Sequence, residues 1–281
     1  RVLFRSGKFI SMIKSSVFLF SAILFFSSCS KNSLSGKKQL KLLPEAELQN
    51  MATSQYQQFL SSTKVVGTTN NRDAEMVKRV GQRIVKAVEA YYAEIGKSGD
   101  LAGYKWEVNL VEDKTVNAWC MPGGKIVVYT GILPITQNEA ALAAVMGHEV
   151  SHALLQHGNQ RMSQGIIQQL GGVALSVAVA NKPQETQNLF LGAYGAGSQV
   201  GVMLPFSRKH ELEADRFGLI FAAMAGYNPQ EAIALWERME KASGGQSPPE
   251  FMSTHPAEAR RIEQLKKYMP EALARYKPVG K

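Results

Sequence analysis

The spacing of apolar residues in the first half of the chain predicts two helices followed by two strands. Apolar side chains recur every three or four positions over residues 42–60 and again over residues 73–95, as they do on a helix with one buried face. Residues 105–110 alternate between polar and apolar, which is typical of a half-buried strand. Residues 125–130 predict a second strand, and the Pro-Gly-Gly sequence at residues 122–124 predicts a turn or bulge before it.

The second half of the chain is predicted to be helical. Residues 138–157 are apolar and rich in alanine, which suits a buried helix. Asn228, with a proline after it, has the sequence of a helix N-cap and first turn. The apolar residues 165–180 contain two glutamines and fall short of the roughly 20 residues that span a bilayer. With the similar residues 189–204 they predict two helices packed through small side chains as a lid or wall, and a membrane-embedded hairpin is the alternative.

The net charge of +9 does not indicate nucleic-acid binding. Four basic residues precede an apolar run at residues 17–26, and residues 1–28 contain no acidic side chain. The other basic residues form no stripe interleaved with aromatics, which is the pattern expected along a phosphate backbone. We therefore predict no nucleic-acid partner.

The predicted buried helix contains the sequence H-E-x-x-H, formed by His148, Glu149 and His152. Residues four apart lie on one face of a helix, so both imidazoles can bind one metal ion. Glu149 can reach a water on that metal and act as its general base. A chance match and a structural pair of histidines are the alternatives, and a third ligand would decide between them.

A carboxylate on a second predicted helix can supply that third ligand. Glu211 and Asp215 are four residues apart and share a face. Glu211 added to two imidazoles gives the His2Glu set of catalytic zinc sites. Asp215 is predicted to accept the outer ring N–H of a zinc-bound histidine. Glu213 is interpreted as a solvated surface carboxylate, and His157 and His210 as surface residues or neighbours of the ligands.

Four segments in this order resemble the M48 metallopeptidases, a group of gluzincins that includes periplasmic lipoprotein proteases. They are N-A-x-x-x-P-G-G at residues 117–124, H-E-V-S-H at residues 148–152, S-R-K-H-E-L-E-A-D at residues 207–215, and T-H-P at residues 254–256. The similarity covers residues 72–268. Cys120 stands where the family favours a small residue.

The resemblance implies a fold, a cofactor and an activity. The expected fold is α+β, a zincin-like domain that is mostly helical with a small antiparallel sheet. His148, His152 and Glu211 are expected to hold one Zn²⁺ per chain, with Glu149 as the catalytic base that activates a zinc-bound water.

The expected activity is a zinc metalloendopeptidase, a hydrolase of peptide bonds in unfolded or misassembled envelope proteins. Unfolded polypeptide is expected to bind along residues 125–130, which we predict to be an edge strand. The alternative is a zinc-containing periplasmic chaperone or assembly lipoprotein with little proteolysis. Retention of Glu149 favours the enzyme, because a purely structural zinc site needs no base.

His255 stands at the start of a predicted helix, in a position that the resemblance associates with the active-site cleft. It is a candidate donor to the oxyanion or a candidate fourth zinc ligand, and an exposed helix cap is the alternative. Arg208 and Arg261 are candidate partners of carboxylates in the cleft.

Residues 1–28 have the basic start, short apolar run and small final residues of a signal peptide. The sequence Phe-Ser-Ser before Cys29 is similar to a bacterial lipobox, which predicts lipidation of Cys29 and attachment to the membrane through a lipid anchor. The expected location is the periplasmic side of the bacterial cell envelope. An ordinary signal peptide and an uncleaved anchor are the alternatives.

The chain has two cysteines, so a lipidated Cys29 leaves Cys120 without a disulfide partner. We interpret Cys120 as a small buried residue rather than a nucleophile. Residues 29–71 are predicted to be a tether and a first helix, and residues 72–281 a metallopeptidase domain.

Overall fold

The computed structural model describes residues 29–170, 183–194, 207–243, 250–255 and 261–278. The predicted signal peptide and parts of the predicted lid or wall, residues 171–182 and 195–206, lie outside the described residues. No helix within the described ranges is both long and apolar enough to cross a membrane.

The strands form two small sheets. A hairpin pairs β1 (Cys29–Lys31) with β2 (Lys38–Leu40) in antiparallel orientation. A 3-stranded sheet has the order β3-β5-β4, made from β3 (Glu107–Val111), β4 (Ala118–Met121) and β5 (Lys125–Tyr129). β3 runs parallel to β5 and β4 runs antiparallel to it, so the sheet is mixed.

The sheet corrects the prediction made for the strand at residues 125–130. β5 lies in the centre of the sheet, so it is not the predicted edge strand. The sheet is predicted to be mainly antiparallel, and its β3–β5 pair is parallel. The sequence does not predict β4, because its four consecutive buried residues give no alternating pattern. The turn after β4, with Gly123 (φ 77°) and Gly124 (φ 81°) in left-handed conformations, inserts β5 between the other two strands.

The helices account for most of the described chain, which confirms the α+β class. They are α1 (Glu45–Ser62), α2 (Arg72–Glu94), α3 (Leu133–Thr136), α4 (Glu139–Leu154), α5 (His157–Leu170), α6 (Pro183–Tyr194), α7 (Arg208–Met224), α8 (Glu231–Ser243), α9 (Glu250–Thr254) and α10 (Arg261–Leu273). α4 and α7 each start at a polar cap, since Asn138 and Ser207 accept backbone N–H groups of their first turns. α8 starts at Glu231 rather than at the predicted proline, because the Asn228 side chain accepts the Gln230 N–H and closes a turn.

The close crossing of α4 and α7 positions the site. A Cβ on Gly147 would lie 2.7 Å from the Gly218 carbonyl oxygen, and a Cβ on Gly218 would lie 2.8 Å from the His148 nitrogen. Real Cβ atoms do not approach other atoms this closely, so both positions require glycine. The two helix backbones therefore touch at the start of the H-E-x-x-H sequence.

The amino-terminal residues pack against the end of α4. The polar residues 30–41, which composition predicts to be a flexible tether, instead form the β1–β2 hairpin. Side chains of Asn32 and Gln39 are buried, and they donate to the carbonyls of Leu154 (3.1 Å) and Leu155 (2.9 Å). These are among the carbonyls that a helix leaves without partners at its end, so the hairpin caps α4.

Candidate metal centre

Four buried side chains from three places in the chain converge on one point. His148 and His152 come from α4, Glu211 from the first turn of α7, and His255 from the residue after α9. One ligand atom from each lies within 4.8 Å of the others. The structure thus brings together the three predicted zinc ligands and the predicted additional histidine, and His255 is buried rather than an exposed cap.

The spacing of these atoms suits a tetrahedral zinc ion. The Nε2 atoms of His148 and His152 are 3.0 Å apart, and they lie 3.5 Å and 3.3 Å from oxygens of Glu211. Zinc bonds of about 2.0–2.1 Å place neighbouring tetrahedral ligands roughly 3.3 Å apart. Two imidazoles and a carboxylate are also the donors that catalytic zinc sites use. The residues present therefore fit the metal.

Glu149 lies beside this cluster on α4 and is buried. Its Oε1 is 3.5 Å from the Nε2 atom of His255. Burial raises the pKa of Glu149, although His255 and His148 partly offset the effect. A carboxylate with a raised pKa accepts a proton more readily than an exposed one.

The outer nitrogen of His148 faces a buried ion pair. Its Nδ1 atom lies 2.9 Å from Oδ1 of Asp215, which is the role predicted for that carboxylate. Arg261 donates to both Asp215 oxygens and places Nη1 2.8 Å from Glu211, while its guanidinium stacks 3.4 Å from the Trp236 ring centroid. Burial alone would raise the pKa of Asp215, but Arg261 and His148 lower it.

The outer nitrogen of His152 faces another histidine. Its Nδ1 atom lies 2.9 Å from Nδ1 of His157, whose Nε2 is 3.2 Å from Oε2 of Glu213. Glu213 also accepts from Lys37 of the amino-terminal hairpin. Burial alone would raise the pKa of Glu213, but the hydrogen bonds from His157 and Lys37 lower it to about 2.

This second network corrects the interpretation of Glu213 as a solvated surface carboxylate. Glu213 is buried, and so are His157 and His210, whose rings stack with centroids 4.2 Å apart. The chain folds His157 back onto His152 at Gln156, which has a left-handed backbone (φ 54°) between α4 and α5. No glycine marks that turn, so the sequence carries little sign of it.

The two ligand histidines differ in charge preference when no metal is bound. Burial opposes a proton on either ring. At His148 the hydrogen bonds to Asp215 and Glu211 prevail and raise its pKa to about 9. At His152 burial prevails, and the pKa is lowered well below the usual range.

A narrow cavity next to Glu149 is bounded by β4. Trp119, Cys120 and the ring of Tyr194 line it together with His152 and His255. Burial raises the pKa of the Cys120 thiol well above its usual range. This agrees with the interpretation of Cys120 as a small buried residue.

Comparisons with known proteins agree with this geometry. Residues 73–269 match the sequence profile of Peptidase family M48. The mitochondrial metalloendopeptidase OMA1 of Saccharomyces cerevisiae is 37% identical over 196 residues, 67% of this chain and 54% of the relative. OMA1 of Arabidopsis thaliana is 38% identical over 181 residues, 64% and 35% of the two chains. The beta-barrel assembly-enhancing protease of Escherichia coli is 30% identical over 161 residues, 54% and 32%. The chain spans about half the length, or less, of these curated relatives.

These relatives contradict the predicted location. The yeast and plant proteins with 37% and 38% identity are both named as mitochondrial, so the prediction of a bacterial periplasmic lipoprotein is wrong. The prediction rested on a basic segment, an apolar run and a cysteine. Several kinds of targeting segment begin with basic and apolar residues, and that pattern alone does not separate them.

Proposed function

This chain is a member of Peptidase family M48, and on that premise we propose that it cleaves internal peptide bonds with zinc held by His148, His152 and Glu211. The family match, and relatives named as metalloendopeptidases, confirm the prediction of a zinc metallopeptidase. The convergence of the three ligands beside Glu149 is the observation that carries the proposal.

Glu149 is proposed to move the protons of the reaction. When bound, zinc acts as a Lewis acid toward water and the scissile carbonyl. The Glu149 carboxylate accepts the proton of the attacking water and returns it to the leaving amine. Its burial beside the ligands suits both steps, because a raised pKa strengthens the base and still permits proton release.

His255 is proposed to occupy the fourth, open position of the site in a resting state, before water enters it. Its Nδ1 atom lies 3.0 Å from Oε1 of Glu211 and 3.3 Å from Nε2 of His148, spacings similar to those among the other ligands. Its Nε2 lies 3.5 Å from Oε1 of Glu149, on the side where an oxyanion would form. The two predicted roles of His255 therefore use different ring nitrogens.

Unfolded polypeptide is the proposed substrate class, and we move its proposed binding edge from β5 to β4. Within the described part of the chain, β4 is one of the two terminal strands of its sheet, and it borders the cavity that Glu149 lines. An extended chain added beside β4 would form main-chain hydrogen bonds that demand little of its sequence. The name of the Escherichia coli relative refers to the assembly of β-barrels.

Substitution of Glu149 by Gln tests the proposal. The amide keeps nearly the same size but cannot accept the proton, so cleavage of unfolded casein should fall about 10²–10⁴-fold at unchanged zinc content. Glu89→Gln, at an exposed position of α2, is the matched control and should cleave at the wild-type rate. Equal rates for wild type and Glu149→Gln would contradict Glu149 as the base, and wild-type activity after removal of zinc by a chelator would contradict a zinc enzyme. Either result would indicate another base or a contaminating protease.

A further inference from the structure

The amino-terminal hairpin reaches the metal centre from outside the family match. The family profile begins at residue 73, whereas the hairpin occupies residues 29–40. Lys37 contacts Glu213 although the two residues are 176 positions apart in the chain. Glu213 contacts His157, and His157 contacts the proposed ligand His152.

We infer that Lys37 and Glu213 are positioning residues of the metal centre, which hold ligand His152 in one tautomer and orientation through His157. The inference rests on the proposed function, because it takes His152 as a zinc ligand. It assigns the hairpin a role in metal binding rather than in attachment to another structure.

The hydrogen-bond pattern allows one consistent arrangement of protons. If His152 offers Nε2 to the metal, its Nδ1 carries a proton and donates it to Nδ1 of His157. His157 must then be neutral and protonated on Nε2, which donates to Glu213. Glu213 fixes that choice because an ionised carboxylate only accepts hydrogen bonds. Lys37 completes the path with an ammonium group on the second carboxylate oxygen.

The hairpin is held firmly enough for Lys37 to serve this role. Asn32 and Gln39, on either side of Lys37, bond to the last carbonyls of α4. The chain after the hairpin is fixed to α5, where the Leu42 N–H donates to Ser163 and the Asn159 side chain donates to the Leu43 carbonyl. The segment that carries Lys37 is thus attached to both helices that carry His152 and His157.

Glu213 and Lys37 differ in exposure, so their removal should have different effects. The Glu213 side chain is 10% exposed and that of Lys37 is 51% exposed. Loss of the direct outer partner of a metal-bound histidine typically lowers metal affinity about 10–100-fold. Glu213 acts one contact further out, through His157, so Glu213→Ala should fall at the lower end, about tenfold. A half-exposed ion pair contributes less, so Lys37→Ala should weaken zinc binding about two- to fivefold.

Zinc affinity of the full chain, measured by competition with a chromophoric chelator, tests the inference without any assay of activity. Lys37→Arg should keep the wild-type affinity, because guanidinium also donates to the carboxylate. Lys38→Ala, at the exposed neighbouring lysine, is the matched control for charge and should bind as wild type does. In a Glu213→Ala background, Lys37→Ala should have no further effect, since the path is already broken.

Three results would overturn the inference. They are wild-type affinity in Lys37→Ala, equal losses in Lys37→Ala and Lys38→Ala, and additive losses in the double variant with Glu213→Ala. His152→Ala separates this failure from failure of the proposed function. If His152→Ala retains zinc, the proposed ligand set is wrong. If it loses zinc while Glu213→Ala and Lys37→Ala keep wild-type affinity, only the positioning role is wrong. Lys37 lies on the surface of the hairpin, so Lys37→Ala is expected to fold.

Discussion

The two proposed ligand histidines, His148 and His152, have their outer hydrogen-bond partners in different parts of the molecule. His148 faces Asp215, whose carboxylate is held by Arg261 under the ring of Trp236. All of these side chains are buried, and all lie within residues 73–269, the range of the family match. Opposite charges pair in this buried network, so loss of one partner leaves the others buried without a counter-charge.

His152 faces a neutral neighbour, and its network ends at the surface. His157 relays the contact to Glu213, and Lys37 comes from the hairpin that precedes the family match. His148 is therefore contacted by residues within the family match, and the network of His152 also includes a residue outside it. The range of the family match therefore does not include every residue in the hydrogen-bond networks of the site.

Substitution of the buried Arg261 should show how strongly the network around His148 depends on charge. Arg261→Ala leaves the carboxylates of Asp215 and Glu211 buried without their partner, so the free energy of unfolding should fall by about 3–5 kcal/mol. Arg216→Ala is the matched control, because Arg216 pairs with Glu271 through two bonds of 2.7 Å at a partly exposed site. It should lose less than about 1 kcal/mol. Urea unfolding of both variants gives the comparison, and equal losses would contradict it.

Stability on the amino-terminal side should depend on pH through Glu45 of α1. Burial raises the pKa of Glu45 to about 7, against the attraction of Lys41. A carboxyl whose folded pKa exceeds its unfolded value is most stabilising below about 4.5 and loses this contribution as the pH rises through about 7. The full change is roughly 3 kcal/mol.

The glutamine side chain in Glu45→Gln cannot ionise, so the substitution should remove this pH dependence. Urea unfolding measures the free energy of unfolding of wild type and Glu45→Gln from pH 4 to pH 8. Over this range the wild type should lose roughly 3 kcal/mol relative to the variant. Glu47→Gln, at an exposed position of the same helical turn, should show a nearly constant difference. A constant difference for Glu45→Gln as well would show that this carboxyl ionises freely in the folded protein.

The clustering of the proposed metal ligands could be predicted from sequence because local geometry places them. His148 and His152 are one helical turn apart, and Glu211 and Asp215 repeat that spacing on a second helix, so each pair shares a face whatever the rest of the fold does. The helix at residues 73–95 could be predicted for the same reason, and the structure places it at Arg72–Glu94.

The rest of the site depends on contacts between distant residues. The β4 strand is apolar at every position and has no period to identify it, so the sequence favours β5 as the edge, whereas β5 is central. Gly147 and Gly218 each look ordinary in their helices, and only their contact explains them. The Lys37–Glu213 pair joins positions 176 residues apart, and neither residue belongs to a recognisable pattern. Sequence periodicity therefore predicted which side chains cluster at the centre but not the residues that contact them from outside.

The smallest effect is expected where the hairpin caps α4. Gln39→Leu keeps the volume of the buried side chain but removes the donor to the Leu155 carbonyl, which lies 2.9 Å away. Loss of one such hydrogen bond should lower the free energy of unfolding by about 1 kcal/mol. Gln57→Leu, at an exposed position of α1, is the control for the change in chemistry and should change the free energy by less than about 0.5 kcal/mol. Urea unfolding measures both. If Gln39→Leu is no less stable than the control, the hairpin does not hold the end of α4, and the contrast between the two ligand histidines would rest on Lys37 alone.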